Sequence, residues 1–274
     1  MAAAPMAAVC LVLAACGAAT GGTGTAGTTI GTGSVPLGGQ SALPKGSSAA
    51  AQLKAYTGCR PTPQPTGQVH WLVTAGTGNP SYALPKLTPT AGASLATWPA
   101  KPMVVLGDCT TTEGWAWAAG DAKNFYLAVQ VDSTTTPVNG TQAAPWSGDV
   151  VQIAFDPLDD KETSGYGADD VEGGMALISG QPFLFINDTG GSEQTPVAVT
   201  GGKVSITRKN GITLYEASIP WAAIGATVNP TFGFNLCFGA GGPDYQAPSR
   251  GFEWTQGLIE SKTPADFAQV TFKP

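Results

Sequence analysis

Histidine is nearly absent from this sequence: His70 is the single one among 274 residues. A zinc centre built on several imidazoles is therefore excluded. A Ser-His-Asp triad would have to use His70, and no G-x-S-x-G elbow is present to carry its nucleophile. His70 stands in "VHWLV" and reads as a structural residue. Cations are scarce too, with 13 Lys and Arg against 19 Asp and Glu and a formal net charge of −6. No basic stripe is available to a phosphate backbone, which argues against nucleic acid as a partner. An acidic surface also suits anionic lipid poorly. Charged residues make up only 12% of the chain, about half of the roughly 25% usual in globular proteins. The apolar stretch Ala7–Ala15 is too short to span a bilayer.

That stretch instead reads as part of a targeting segment over residues 1–16. It ends in small residues, as a secretory signal does, although no Lys or Arg precedes it. "LAAC", Leu13–Cys16, followed by Gly17, resembles a bacterial lipobox in which Cys16 would be lipidated after cleavage. A plain cleaved signal and a lipid anchor at Cys16 both stay open. Either places the protein outside the cytoplasm, secreted or at the cell surface or periplasm. Two of the five cysteines, Cys10 and Cys16, lie in this segment. Export permits disulfides among the rest. Cys237 sits in the apolar "FGFNLCFGA" and reads as a free buried thiol. Cys59 and Cys109 both flank turn residues, and a Cys59–Cys109 bridge is the expected pairing, which spacing alone does not fix.

Residues 17–66 are dominated by Gly, Thr, Ala, Ser and Pro. Such a composition buries too little apolar surface to offset its ordering entropy, so a disordered, flexible tether is expected. From residue 67 to 274 the pattern changes to short strands between turns. "QVHWLV", "PMVVLG", "GWAWAAGD", "NFYLAVQVD", "DVVQIAFDP", "GMALISG", "PFLFIND", "KVSITRK", "TLYEASIPW", "TFGFNLCFG" and "FAQVTF" all fit. In "NFYLAVQVD", Phe125, Leu127, Val129 and Val131 share one face. In "DVVQIAFD", Val151, Ile153 and Phe155 share one face and Val150, Gln152 and Ala154 the other. The predicted fold class is all-β, an antiparallel two-sheet sandwich. The one helical hint is "IPWAAIGA", where Pro220 suits a first turn and Gly225 an end. Asn139 and Asn187 head N-x-T sequons, which matter only in a eukaryotic secretory host.

"DAKNFYLAVQVD", "PWSGDVVQIAFDP", "SGYGADD", "YEASIPWAAIG" with "FGFNLCF", "FEW" and "TPADFAQVTF" occur in that order. This succession resembles the family 9 carbohydrate-binding modules and the wider DOMON-like group, over roughly residues 87–274. The resemblance implies a sandwich that holds the end of a saccharide chain in an aromatic clamp, without catalysis. One clamp Trp falls on Trp146, with Asp149 in the same motif. A position where the family often has Glu is Gln152 here. A Trp ring covers the apolar face of a pyranose, whose hydroxyls need planar polar partners.

The sequence departs from the family elsewhere. The second clamp Trp is replaced by "IESK", Ile259–Lys262, and an expected Arg is missing near Met175. The nearest substitutes as ligand contacts are Tyr245, Arg250, Trp254 and Gln256, although Trp254 also matches a framework position. The acidic run from Asp156 to Glu172 is the natural place for the structural calcium that the family often holds, with Asp169 and Asp170 as its expected ligands. A solvated acidic loop is the alternative. No carboxylate pair stands in a recognisable glycosidase motif. Of the seven Trp, Trp71, Trp98, Trp115, Trp117 and Trp221 read as framework or core. The function expected is saccharide binding on Trp146. Two alternatives remain: a surface-displayed structural domain that binds a cell-surface protein, and a haem-binding relative that would need Met103, Met175 or His70.

Overall fold

The alternating segments become strands in the computed structural model of the protein, which describes residues 71–73, 79–92, 95–107, 112–132, 137–225, 230–240, 250–259 and 261–273. These are β1 (Trp71–Val73), β2 (Ser81–Ala83), β3 (Val104–Gly107), β4 (Thr112–Gly120), β5 (Asn124–Asp132), β6 (Val150–Asp156), β7 (Val171–Ile178), β8 (Gln181–Thr189), β9 (Ser192–Ala198), β10 (Lys203–Lys209), β11 (Ile212–Pro220), β12 (Thr231–Ala240), β13 (Arg250–Glu253) and β14 (Ala268–Thr271). Among the described residues the only helical elements are short 3₁₀ turns. Cys16, Cys59, Cys109, His70 and Tyr245 lie outside the described residues, as does the whole of the predicted signal and tether.

Two sheets form the sandwich that the sequence predicts. The smaller runs β10-β11-β5-β4-β3, antiparallel throughout. The larger runs β1-β13-β12-β6-β7-β8-β9, and β14 pairs with both β12 and β2. Among the described strand pairs, only β1 with β13 and β2 with β14 are parallel.

The predicted faces are realised. Val151, Ile153 and Phe155 of β6 meet Phe125, Leu127 and Val129 of β5 in one core between the sheets. At its centre Phe125 stands edge-on to Phe155, centroids 5.2 Å apart at 89°, the arrangement that aromatic quadrupoles favour. Trp221 opens the predicted turn, a 3₁₀ helix over Trp221–Ile224 that ends at Gly225 with φ 68°. Its indole donates to the Asp121 carbonyl at 2.8 Å. Trp115 and Trp117 pack with Trp98 on the outer side of the smaller sheet. There Trp98 Nε1 donates to the buried Glu216 at 3.1 Å.

Candidate functional site

Antiparallel pairing aligns residues of neighbouring strands on one face, so the register gives the outer face of the larger sheet in rows. The first row is Gly239, Val150, Ala176 and Phe183. The second is Glu253, Cys237, Gln152, Gly174 and Phe185. The third is Asn235, Ala154, Glu172 and Asp188.

Trp146 comes to the first row. Its motif forms a 3₁₀ turn over Pro145–Ser147, with Pro at the start and Gly148 N–H closing on the Pro145 carbonyl. The turn places a half-buried Trp146 against Val150, Ala176 and Phe185, beside the half-buried Phe183. The floor here is low because three of the four first-row residues are Gly, Val and Ala. Near Met175, where the resemblance implies an arginine, β7 has Gly173 and Gly174 instead. A Cβ at Gly174 would lie 2.5 Å from Val151 O and 3.0 Å from Phe185 Cζ, so the neighbouring strand and the Phe185 ring together leave no room for a side chain there.

The other expected contacts divide. Gln152 does lie on the outer face, but it is buried and engaged: Nε2 donates to Glu172 Oε1 at 3.3 Å, and Oε1 accepts from Cys237 Sγ at 3.7 Å. The reason is a roof over this part of the sheet, where Leu258 and Phe267 cover Ala154 and Cys237. Asp149 is buried, with its N–H donating to Val138 O at 2.8 Å. Burial first, and then the Asp149 charge, raise the pKa of Tyr215, a residue of the core between the sheets. Asp149 thus stands close enough to Tyr215 for its charge to act there. Trp254 is corrected outright. Phe252 and Trp254 point inward on either side of Glu253, and the Trp254 ring packs on Phe234 in the core, centroids 6.2 Å apart. Gln256 is exposed, and its carbonyl accepts from Asn235 Nδ2 at 3.1 Å. Arg250 is described only by its backbone, paired with Ala240.

A polar cluster that the sequence did not bring together fills the third row. Glu172 is 2% exposed and accepts four hydrogen bonds. Gln152 Nε2 and Asn187 Nδ2 (3.5 Å) reach Oε1, while Tyr166 OH (2.6 Å) and Lys262 Nζ reach Oε2. The Lys262 ammonium also lies over the Tyr166 ring, 5.6 Å from its centroid. Burial, with the Glu172 charge next to it, pushes the Tyr166 phenol far above its ordinary range. The cluster depends on a β-bulge. Glu172 pairs with Asp188 and Gly173 with Ile186, so the ladder skips Asn187. A bulge re-aims side chains, and this one turns Asn187 toward Glu172. Asn187 is 4% exposed, so a glycan on its amide would displace the sheet's own network. The sequence expectation for that sequon is corrected accordingly. Asn139 is exposed, and its Oδ1 accepts from Gly180 N–H at 2.7 Å.

The acidic run folds into a second candidate centre. Carboxylate oxygens of Asp156, Glu162 and Asp170 lie within 4.8 Å of one another, as do those of Asp156, Asp160 and Asp169. The chain curls around Asp156 through left-handed residues Asp159 (φ 55°) and Lys161 (φ 60°). The N–H groups of Asp160 and Lys161 donate to its two oxygens at 3.2 and 3.1 Å. Burial, then neighbouring carboxylates, push Asp170 up to about 7. Asp156 and Glu162 are raised for the same reasons. Asp170 Oδ1 and Glu162 Oε2 are buried without a hydrogen-bond donor. Orphaned, crowded carboxylate oxygens are what a hard divalent cation would satisfy, so the residues present fit such an ion.

The family profile described as "Carbohydrate family 9 binding domain-like" matches residues 93–242, more than half of the chain. No curated protein matches the sequence. Among solved structures, a family 9 carbohydrate-binding module from Caldicellulosiruptor kristjanssonii in complex with glucose is similar at 14% identity, with a TM-score of 0.53, covering 70% of this chain and 95% of that one. The same module in complex with cellotriose gives 14% identity and a TM-score of 0.53, covering 70% and 93%. These likenesses support the two-sheet fold.

Proposed function

The chain belongs to the carbohydrate family 9 binding domain-like family, and on that premise we propose that its sandwich binds saccharide without catalysis, with Trp146 as the platform for a sugar ring. The observation that carries this reading is a half-buried Trp held by a Pro-started turn over a low floor of Gly239, Val150 and Ala176. A flat apolar ring above small residues suits the C–H face of a pyranose. The structures similar to this chain hold glucose and cellotriose, so gluco-configured sugars are the first ligands to test. A binding rather than a hydrolytic role is supported by the state of the carboxylates on this face. Glu172 is engaged by four donors, and Glu253 accepts from Asn235 Nδ2 (3.0 Å) and Leu258 N–H (2.7 Å) beneath the roof. Neither has the open cleft that paired glycosidase acids share across a scissile bond.

Calcium is the ion proposed for the acidic centre. The buried Asp156 and Asp170 and the half-buried Glu162 would supply its ligands, with Asp160 and Asp169 beside Asp156 at the rim. Its role would be to neutralise the cluster and fix the loop between β6 and β7. The domain is proposed to be exported and displayed on the tether over residues 17–66, with Cys16 as anchor in the lipidated alternative.

A second reading has one observation in its favour. Lys262, paired with Glu172, stands in the segment where the resemblance implies a second clamp Trp. A module that had given up its clamp could serve as a protein-binding domain at the cell surface. Titration calorimetry with glucose and cello-oligosaccharides decides between them. Measurable heats, lost in Trp146→Ala, support saccharide binding. Silence across glucose and the cello-oligosaccharides favours the second reading.

A further inference from the structure

A short run of loop joins the acidic centre to the roof over the larger sheet. Glu162 and Asp170, whose carboxylates meet Asp156 in that centre, both close on Gly167. Gly167 N–H donates to Asp170 Oδ2 at 2.6 Å. A Cβ on Gly167 would overlap Glu162 Oε1, so only glycine lets that carboxylate lie against the backbone. The residue before it is Tyr166, which supports the roof. Its hydroxyl donates to Glu172 Oε2 at 2.6 Å, the oxygen that Lys262 also holds. Its ring stands edge-on to Phe267, centroids 6.4 Å apart at 67°, and packs on the cluster of Ala154, Cys237 and Leu258. The β8–β9 turn backs it, where a Cβ on Gly191 would lie 2.7 Å from the Tyr166 carbonyl. A second tie runs through the main chain: Ala265 N–H, in the roof, donates to the Glu162 carbonyl at 3.0 Å. Glu162 and Asp170 therefore offer carboxylate oxygens to the centre and also fix the parts of the loop that carry the roof.

We propose that the acidic centre controls the roof: a divalent cation held by Asp156, Glu162 and Asp170 locks Tyr166 and Ala265 in place and keeps the roof closed over Gln152 and Cys237, and loss of the cation lets the roof lift. This rests on the reading of the acidic centre as a cation site and is independent of any saccharide. Asp170 is fully buried, yet its Oδ1 has no donor, and neither has Glu162 Oε2. Without a cation, like charges this close push apart, and whatever moves Glu162 or Asp170 moves Gly167 and Tyr166 with it. The roof has its own reason to lift. At the bulge beside Glu172, the buried atoms Asn187 Oδ1 and Asp188 Oδ1 also lack donors. An unpaired acceptor is costly only while water is kept out, so the closed state is held against two unsatisfied groups. Tyr166 is a positioning residue in this scheme: it touches no ion, and it carries the state of the centre to Glu172 and Phe267.

The test is hydrogen exchange read by mass spectrometry on the full chain, in about 5 mM calcium or in chelator, for the wild type and Tyr166→Phe. Tyr166→Phe keeps the ring on Phe267 and removes the donor to Glu172, and melting curves in both solutions accompany each protein. In the wild type, roof peptides carrying Leu258 and Ala265 should exchange about tenfold faster in chelator than in calcium, within an interval in which β5 stays protected in both. Alkylation of Cys237, followed on its own peptide, should accelerate with the roof. In Tyr166→Phe, calcium should still raise the melting temperature, while the difference at the roof shrinks to about twofold or less. Roof exchange indifferent to calcium, in a wild type whose melting temperature rises with it, overturns the coupling and leaves the cation site standing. Equal acceleration of the roof and β5 does the same, because it marks stabilisation of the whole domain. A folded Tyr166→Phe that keeps the full difference overturns the role of Tyr166. Should that variant not fold, the wild-type comparison decides alone. A wild type whose melting and exchange both ignore calcium overturns the cation site and the coupling together.

Discussion

Lys262 donates to Glu172 across ninety residues of sequence, joining a side chain 40% exposed to a carboxylate only 3% exposed. The ion pair fastens the segment after β13 onto the outer face of the larger sheet. Lys262→Met should destabilise the protein by about 1–3 kcal/mol, because it strips a buried carboxylate of one donor. The exposure of Lys262 keeps the cost toward the lower end. Adding Glu172→Gln to that variant should recover part of the loss in urea denaturation. Wild-type stability for the single variant would show that the pair is idle.

Trp146→Ala should weaken binding of cello-oligosaccharides by at least about tenfold, the effect of losing a principal stacking ring. Its melting temperature should fall only modestly, because the ring is half-buried. An unchanged dissociation constant would remove Trp146 from the site.

Calcium should raise the melting temperature at neutral pH, and a chelator should lower it. Protons compete for the same oxygens, so the increment should shrink as pH falls through about 7, where Asp170 takes up a proton. Asp170→Asn should melt higher than the wild type in chelator, since it removes one of several crowded charges, and should respond little to calcium. A wild type indifferent to both calcium and chelator would make the cluster an acidic loop without an ion.

Glu253 should govern part of the stability between acid and neutral pH. Burial pushes its carboxyl up from 4.5 to about 7 in the folded protein. The unfolded chain therefore releases this proton first. The stability contributed by the protonated form is fully present below about 4.5, falls as pH rises to about 7, and stays level above that. Glu253→Gln, which keeps an acceptor for Leu258 N–H, should flatten this slope in denaturation measured across the range. An unchanged slope would assign the dependence to other groups.

The inner half of the sandwich was legible in the sequence because strict alternation marks it. Phe125, Leu127, Val151, Ile153 and Phe155 all point where their parity puts them. "FEW" carried the same signal, since Phe252 and Trp254 flank Glu253 and so share the core face. β9 escaped notice for the opposite reason. It is a sheet edge with only Pro196 buried, so it has no apolar rhythm to detect. The outer face was half legible. The turn at Trp146 and the density of acids in Asp156–Glu172 were visible locally. The seat of Lys262 on Glu172 was not, since pairs so distant leave no periodic trace. Nor was the bulge at Asn187, because one extra residue in a ladder changes facing without changing composition.

The position of β14 has a consequence for synthesis. Ala268–Thr271 fill the gap between β12 and β2, so β2, made early, cannot take its final place in the larger sheet until β14 has emerged. Until then β12 keeps an open edge at Thr231–Phe234, and open edges recruit other chains. Pairing at such sequence distance is also slow. The nascent domain thus carries a window of vulnerability that closes only with its last strand, and it is in that interval that a chaperone would matter most to its yield.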